Sequence, residues 1–203
     1  DDTRKALAPI MSGRARGAPS FAKFRKALVE GHLFAIITAR SHSSEAIRKG
    51  VEYFIEQVLT PAQKRRMLRH LRGYIAYFDG DPGELSDAQV LKQYLDICRY
   101  RGVTSPEFQQ LMGRKLGGSE SPEEAKQFAI RDFVRHAVGL VKGRRGKKPL
   151  SIGFSDDDRK NVEAAVDFIR KELSQEFPDV KFVIYDTSDS RRPRGRKMVI
   201  QEA

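Results

Sequence analysis

Apolar residues in this chain follow two patterns, short unbroken runs and stretches at helical spacing, with polar turns between them. The run Leu33-Phe34-Ala35-Ile36-Ile37-Thr38 is nearly continuous and suits a strand covered on both faces. Ahead of it, Ser20 predicts an N-cap for a helix carrying Phe21, Phe24 and Leu28, with Gly31 as the stop. After Arg40, the serines at 41, 43 and 44 offer caps for Ile47, Val51, Phe54, Ile55 and Val58, which recur on one helical face. Thr60-Pro61 starts a further helix through Met67, Leu68 and Leu71 to Gly73. Tyr74–Phe78 then reads as a second strand, closed by the turn residues Asp79-Gly80-Asp81-Pro82-Gly83.

Residues 84–120 carry helical signals only. Ser86 caps Val90, Leu91, Tyr94 and Leu95, and Ser105-Pro106 opens a helix through Phe108, Leu111 and Met112, so the segment reads as a helical insertion. Ser121-Pro122-Glu123-Glu124 joins a capping serine, a first-turn proline and a glutamate three residues after the cap. The helix it starts carries Phe128, Phe133, Val134, Ala137 and Val141 inward. Leu150–Phe154 predicts a strand, Ser155 a cap for a helix bearing Val162, Val166, Ile169 and Leu173, and Val180–Tyr185 another strand. Met198–Ile200 adds a short last one. Strands alternating with helices predict an α/β fold with a mostly parallel sheet in a Rossmann-like three-layer sandwich. The expected organisation is an N-terminal arm over 1–19, one α/β domain over 20–190 with 84–120 inserted, and a basic C-terminal segment over 191–203.

Composition narrows the setting. The 203 residues are 39% hydrophobic and 32% charged, and no apolar run approaches the roughly 18 residues of a membrane span. The opening Asp1-Asp2-Thr3-Arg4-Lys5 lacks the apolar core of a signal peptide, and the single cysteine, Cys98, has no internal partner, which together predict a reducing cytoplasm. The net charge of +11 points to an anionic partner. It concentrates in Lys64-Arg65-Arg66, in residues 142–148 and in residues 191–197, of which the last two read as loops.

Two strand ends hold the candidate chemistry. Thr38 places a hydroxyl and the following amides where a phosphate oxygen can be held, with Ala39 beside it and Arg40 able to add a bidentate contact. Asp156, Asp157 and Asp158 gather hard oxygen ligands after another strand, a set that suits Mg²⁺ held by one or two carboxylates and water. They equally suit a helix start, since carboxylates complement the positive end of the dipole. Lys126, one turn into the helix before the acidic strand, can offset phosphate charge. His32, His42, His70 and His136 show no metal-ligand spacing, and Cys98 has no neighbouring Cys or His, so zinc and thiol chemistry find no support. In one parallel sheet the ends at Thr38 and Asp156 would meet at the crevice where open α/β sheets bind ligands.

Taken together, Ile36-Ile37-Thr38-Ala39-Arg40, Lys126 and Ile152-Gly153-Phe154-Ser155-Asp156-Asp157-Asp158 resemble the second, third and fourth motifs of the haloacid dehalogenase-like hydrolases, in the same order along the chain. The resemblance implies that Thr38 binds the transferring phosphoryl group, that Lys126 stabilises its charge and that Asp156 and Asp157 position Mg²⁺. The family's first motif, an apolar strand ending in Asp-x-Asp with the nucleophile, has no counterpart here. Asp1-Asp2-Thr3 matches only its end, and the alternative is a first strand farther upstream or missing. In the family's sheet that strand is central, flanked by the strands ending at Thr38 and Phe154. The expected activity is magnesium-dependent hydrolysis of a phosphate monoester, a nucleotide or a nucleic acid end. The second reading is a catalytically silent α/β module that binds nucleic acid or another polyanion through its Arg/Lys segments, with Tyr74, Tyr77 and Tyr100 as its aromatic residues.

Overall fold

The computed structural model describes residues 18–78, 80–81, 83–116, 121–142 and 150–202, together with Lys5, Ala8 and Met11, each of which is helical. Asp1-Asp2-Thr3 and the basic residues 143–148 lie outside the described residues. Chain order is α1 (Pro19–Val29), β1 (Ala35–Thr38), α2 (Ser44–Gln57), α3 (Pro61–Phe78), α4 (Asp87–Ile97), β2 (Arg99–Gly102), α5 (Pro106–Leu116), α6 (Pro122–Val141), β3 (Leu150–Asp156), α7 (Arg159–Phe168), β4 (Val180–Asp186) and β5 (Arg196–Gln201). Helix α7 runs on through a π-helical segment, Ile169–Leu173, into a last turn, Ser174–Glu176. The fold is mixed α/β. Two compact units divide it, Asp1–Ala15 with Arg25–Phe133 and Arg16–Phe24 with Val134–Ala203.

Local sequence accounts for most helix starts. Ser43 Oγ accepts from the Ala46 amide at 3.2 Å and starts α2. Ser86 and Gln89 satisfy each other's amides at 3.2 and 2.8 Å in a reciprocal box at α4. Ser121 and Glu124 do the same at α6, at 3.3 and 2.8 Å. Each exchange satisfies two of the four amides that a helix start leaves without partners. Helix α1 begins at Pro19, with the Ala18 carbonyl accepting from the Phe21 and Ala22 amides, so Ser20 lies inside it.

In the first unit β1 and β2 form a parallel pair, Ala35 opposite Arg99 through Thr38 opposite Gly102. Phe34 packs edge-on against Tyr94 and Tyr100, with ring centroids 5.8 and 5.9 Å away. Both tyrosine hydroxyls find backbone acceptors, Tyr94 donating to the His32 carbonyl at 2.6 Å and Tyr100 to that of Leu95 at 3.0 Å. Val103, Phe108, Met112, Ala125 and Ala129 form a further core, against which Ile37, Leu111 and Phe128 pack. The second unit holds β3 parallel to β4, and β4 antiparallel to β5. Helix α7 packs on β3 and β4, and its inward residues join Phe182, Ile184, Ile169 and Leu173, each no more than 1% exposed.

Several expectations change. The described strands form two sheets, β1-β2 and β3-β4-β5, where one mostly parallel sheet was expected. Tyr74–Phe78 is no strand but the last turns of α3. A helix satisfies its own backbone groups, a lone five-residue strand does not, and an interior glycine such as Gly73 costs a helix only about 1 kcal/mol. Strand β2 lies within the segment expected to be helical. Its sequence, Arg-Tyr-Arg-Gly, buries only Tyr100 and Gly102 and so shows no apolar run. Strand β3 runs on to Asp156, leaving Ser155 in the strand and Asp158 as the cap of α7. Among the described residues, no helix is long and apolar enough to cross a membrane.

Phe182 is fully buried at the centre of β4, between β3 and β5. Phe182→Ala is expected to lower unfolding free energy by about 3–5 kcal/mol, measured as a reduced urea midpoint by circular dichroism.

Candidate functional site

In open α/β sheets ligands collect beyond the carboxyl ends of parallel strands, and the β1-β2 pair brings Thr38 and Gly102 side by side at such an end. The loop that follows Thr38 is tied down from three directions. The Thr38 carbonyl accepts from the Val103 amide at 2.9 Å, the Ala39 carbonyl from the Thr104 hydroxyl at 2.7 Å, and Thr38 Oγ1 from the Arg40 amide at 3.3 Å. Among the described residues, the Thr38 hydroxyl makes this one hydrogen bond, as an acceptor. The Arg40 side chain is exposed.

Gly102 lets this loop close. A Cβ there would lie 2.8 Å from the Arg40 carbonyl oxygen and closer still to that of His42, both backbone atoms. The loop therefore rests directly on the β2 backbone, a closeness that no other residue permits. Beyond it, the Glu107 carboxylate accepts from the Ser44 amide at 3.1 Å and the Ser44 hydroxyl at 2.9 Å, fixing the start of α2 to α5. A cavity of about 340 Å³ opens beside these groups, lined by Ser44, Arg101, Gly102, Ser105, Glu107 and Phe108 among others. The Arg101 guanidinium pairs with Asp132 at 3.3 Å and lies 6.0 Å from the Phe108 ring centre. This polar, partly cationic hollow was not legible in the sequence, because Arg101 and Ser105 sit in a segment that reads as helical.

Lys126 belongs to the same unit. It is half-buried on α6, directly after Ala125 of the core to which Ile37 packs.

Asp156 and Asp157 belong to the second unit. Asp156 Oδ1 accepts from the Asp158 amide at 2.8 Å and from Asn161 Nδ2 at 3.2 Å, while its carbonyl accepts from the Thr187 amide and hydroxyl at 3.0 and 2.8 Å. These contacts fix the Asp156 carboxylate through one oxygen. Asp157 is exposed, and Asp158 caps α7 by accepting from the Lys160 amide at 2.8 Å. In register beside Asp156 stands Asp186. The Ser188 hydroxyl and then the Ser188 amide, donating to Asp186, hold its carboxyl below the usual range. Among the described residues, no three His, Cys, Asp or Glu side chains come together as a ready cage for a metal ion. The pair Asp156 and Asp157 still matches what Mg²⁺ takes from a protein, since that ion keeps several waters and uses one or two carboxylates.

Cys98 is buried between α4 and β2, and loss of solvent pushes its thiol up to about 12 from an ordinary 9.0. A thiol this protonated is a poor nucleophile. The native protein is expected to resist iodoacetamide at pH 8 and to react once unfolded. The unfolded thiol ionises first, so this group leaves stability unchanged below about pH 9 and lowers it as pH rises from there to about 12, as denaturant midpoints across that range will show. Compared with protein-family models, with curated proteins and with solved structures, the chain matches none.

Proposed function

We propose that this chain is the body of a magnesium-dependent phosphohydrolase of the haloacid dehalogenase-like type, with a Rossmann-like three-layer core and a nucleophilic aspartate from outside these residues. The observation that carries the reading is the held Thr38 loop, which presents a hydroxyl and the amides after it at the carboxyl end of the parallel pair β1-β2, the place where such pairs collect ligands. The resemblance adds Lys126, Asp156 and Asp157 and calls for a strand carrying the nucleophile.

In this reading Thr38 Oγ donates to a phosphoryl oxygen, the amides after it add further donors, and Arg40 offers two more from its guanidinium. Donors held in place before the reaction are worth most where charge develops on phosphorus-bound oxygen. Gly102 keeps the loop in position. Lys126 offsets the same charge, and Asp156 and Asp157 would hold the Mg²⁺, which supplies further charge neutralisation when bound. The preferred substrate is a phosphate monoester, a nucleotide or a nucleic acid end.

The test is hydrolysis of p-nitrophenyl phosphate with and without Mg²⁺ by the full-length product of this reading frame. Magnesium-dependent turnover is expected there, and Thr38→Ala, Lys126→Ala and Asp157→Asn should each lower kcat/KM by roughly 100-fold or more, the scale for losing one charge-stabilising group. Wild-type rates in Lys126→Ala and Asp157→Asn would overturn the assignment of these residues. Gly102→Ala should raise KM for phosphate esters while leaving the far-ultraviolet spectrum unchanged, since it moves a loop and no element.

A further inference from the structure

Helix α3 contains five cationic side chains, Lys64, Arg65, Arg66, Arg69 and Arg72, and no acidic one. Two of them are occupied: Lys64 Nζ donates to the Glu56 carbonyl at 2.7 Å, and Arg72 donates to the Leu85 carbonyl and to Asp87 at 2.8 and 2.9 Å. Arg65, Arg66 and Arg69 are exposed, and no ion pair with another described residue engages them. This sets them apart from Arg48, Arg101 and Arg135, each held by a carboxylate. At 100° per residue the three arginines and Tyr77 share one side of the helix, with Ala62, Gly73 and Ala76 between them, while Met67 and Leu71 face the core. Small residues leave that side open to approach. Tyr77 is 60% exposed, and its ring meets Phe78 edge-on at 4.9 Å. Tyr74 is 42% exposed but lies off this face, its hydroxyl donating to the Glu30 carbonyl at 3.4 Å, and Tyr100 is buried, so neither belongs to the arginine face.

We infer that this face of α3 binds single-stranded nucleic acid, the arginines taking backbone phosphates and Tyr77 stacking on a base. Charge alone would fit any polyanion. The exposed ring on the same face, about 12 Å along the axis from Arg69 at 1.5 Å per residue, is what selects a strand with unstacked bases. The inference goes beyond the phosphohydrolase reading, and its test reads no hydrolysis, so either can fail alone.

Fluorescence anisotropy with labelled dT12, U12 and an abasic 12-mer, over a range of salt, tests it. Wild type is expected to bind dT12 and U12 with affinity that falls steeply with salt. The triple variant Arg65→Gln, Arg66→Gln, Arg69→Gln should bind at least tenfold more weakly at low salt, with a log-log salt slope shallower by about 2, three phosphate contacts at roughly 0.7 each. Tyr77→Leu should weaken dT12 about tenfold and leave the abasic strand unchanged. If the triple variant melts early, Arg69→Gln alone carries the same test with a slope change of about 0.7. Wild-type affinity in the arginine variants, or equal binding of dT12 and the abasic strand by wild type, would overturn the proposal, as would tighter binding of duplex than of single strands.

Discussion

Pairing of backbone groups across parallel strands is the constraint from which the candidate site follows. Strand β1 is only four residues long, and its regular partner is β2, whose register sets Thr38 opposite Gly102. That register does two things at once. It continues as the Val103 amide bonding the Thr38 carbonyl, and it puts the one residue without a side chain beneath the turn at Arg40 and His42. A shift by one residue would bring Arg101 or Val103 under the loop, and the loop could not close. The position of the Thr38 hydroxyl is thus a consequence of strand pairing.

Charge is distributed by a similar economy of partners. The chain carries a surplus of +11, yet many arginines sit against carboxylates: Arg48 with Glu52 and Asp96, Arg101 with Asp132, Arg135 with Glu176, Arg191 and Arg192 with Asp189. Exposed pairs of this kind add little stability. What they change is the local field, since a paired guanidinium attracts an outside anion less than an unpaired one. Helix α3 contains no acidic residue of its own, whereas two arginines of the C-terminal loop share Asp189.

Local signals were legible where a few neighbouring residues settle the outcome. The capping serines at 43, 86 and 121 start their helices, and Val180–Tyr185 and Met198–Ile200 lie in strands. Illegible were elements whose identity rests on distant partners. Arg99–Gly102 has no apolar run, and only β1 makes a strand of it. Tyr74–Phe78 has the composition of a strand, but it extends the helix already begun at Pro61. The candidate site divides in the same way: Thr38 and Arg40 stand out at the end of an apolar run, while Gly102, Arg101 and Glu107 enter only through pairing and packing.

By itself, then, the sequence determined most helix starts, several apolar strands, the surplus of positive charge, and the residue types at two strand ends. Those properties depend on neighbours within a turn or two. Only the tertiary structure decided that the described strands form two sheets, that a glycine supports the Thr38 loop, and which arginines lack a carboxylate partner among the described residues. Each of these depends on residues tens of positions apart, and such partnerships are selected by burial and backbone satisfaction over the whole chain, which no local pattern records.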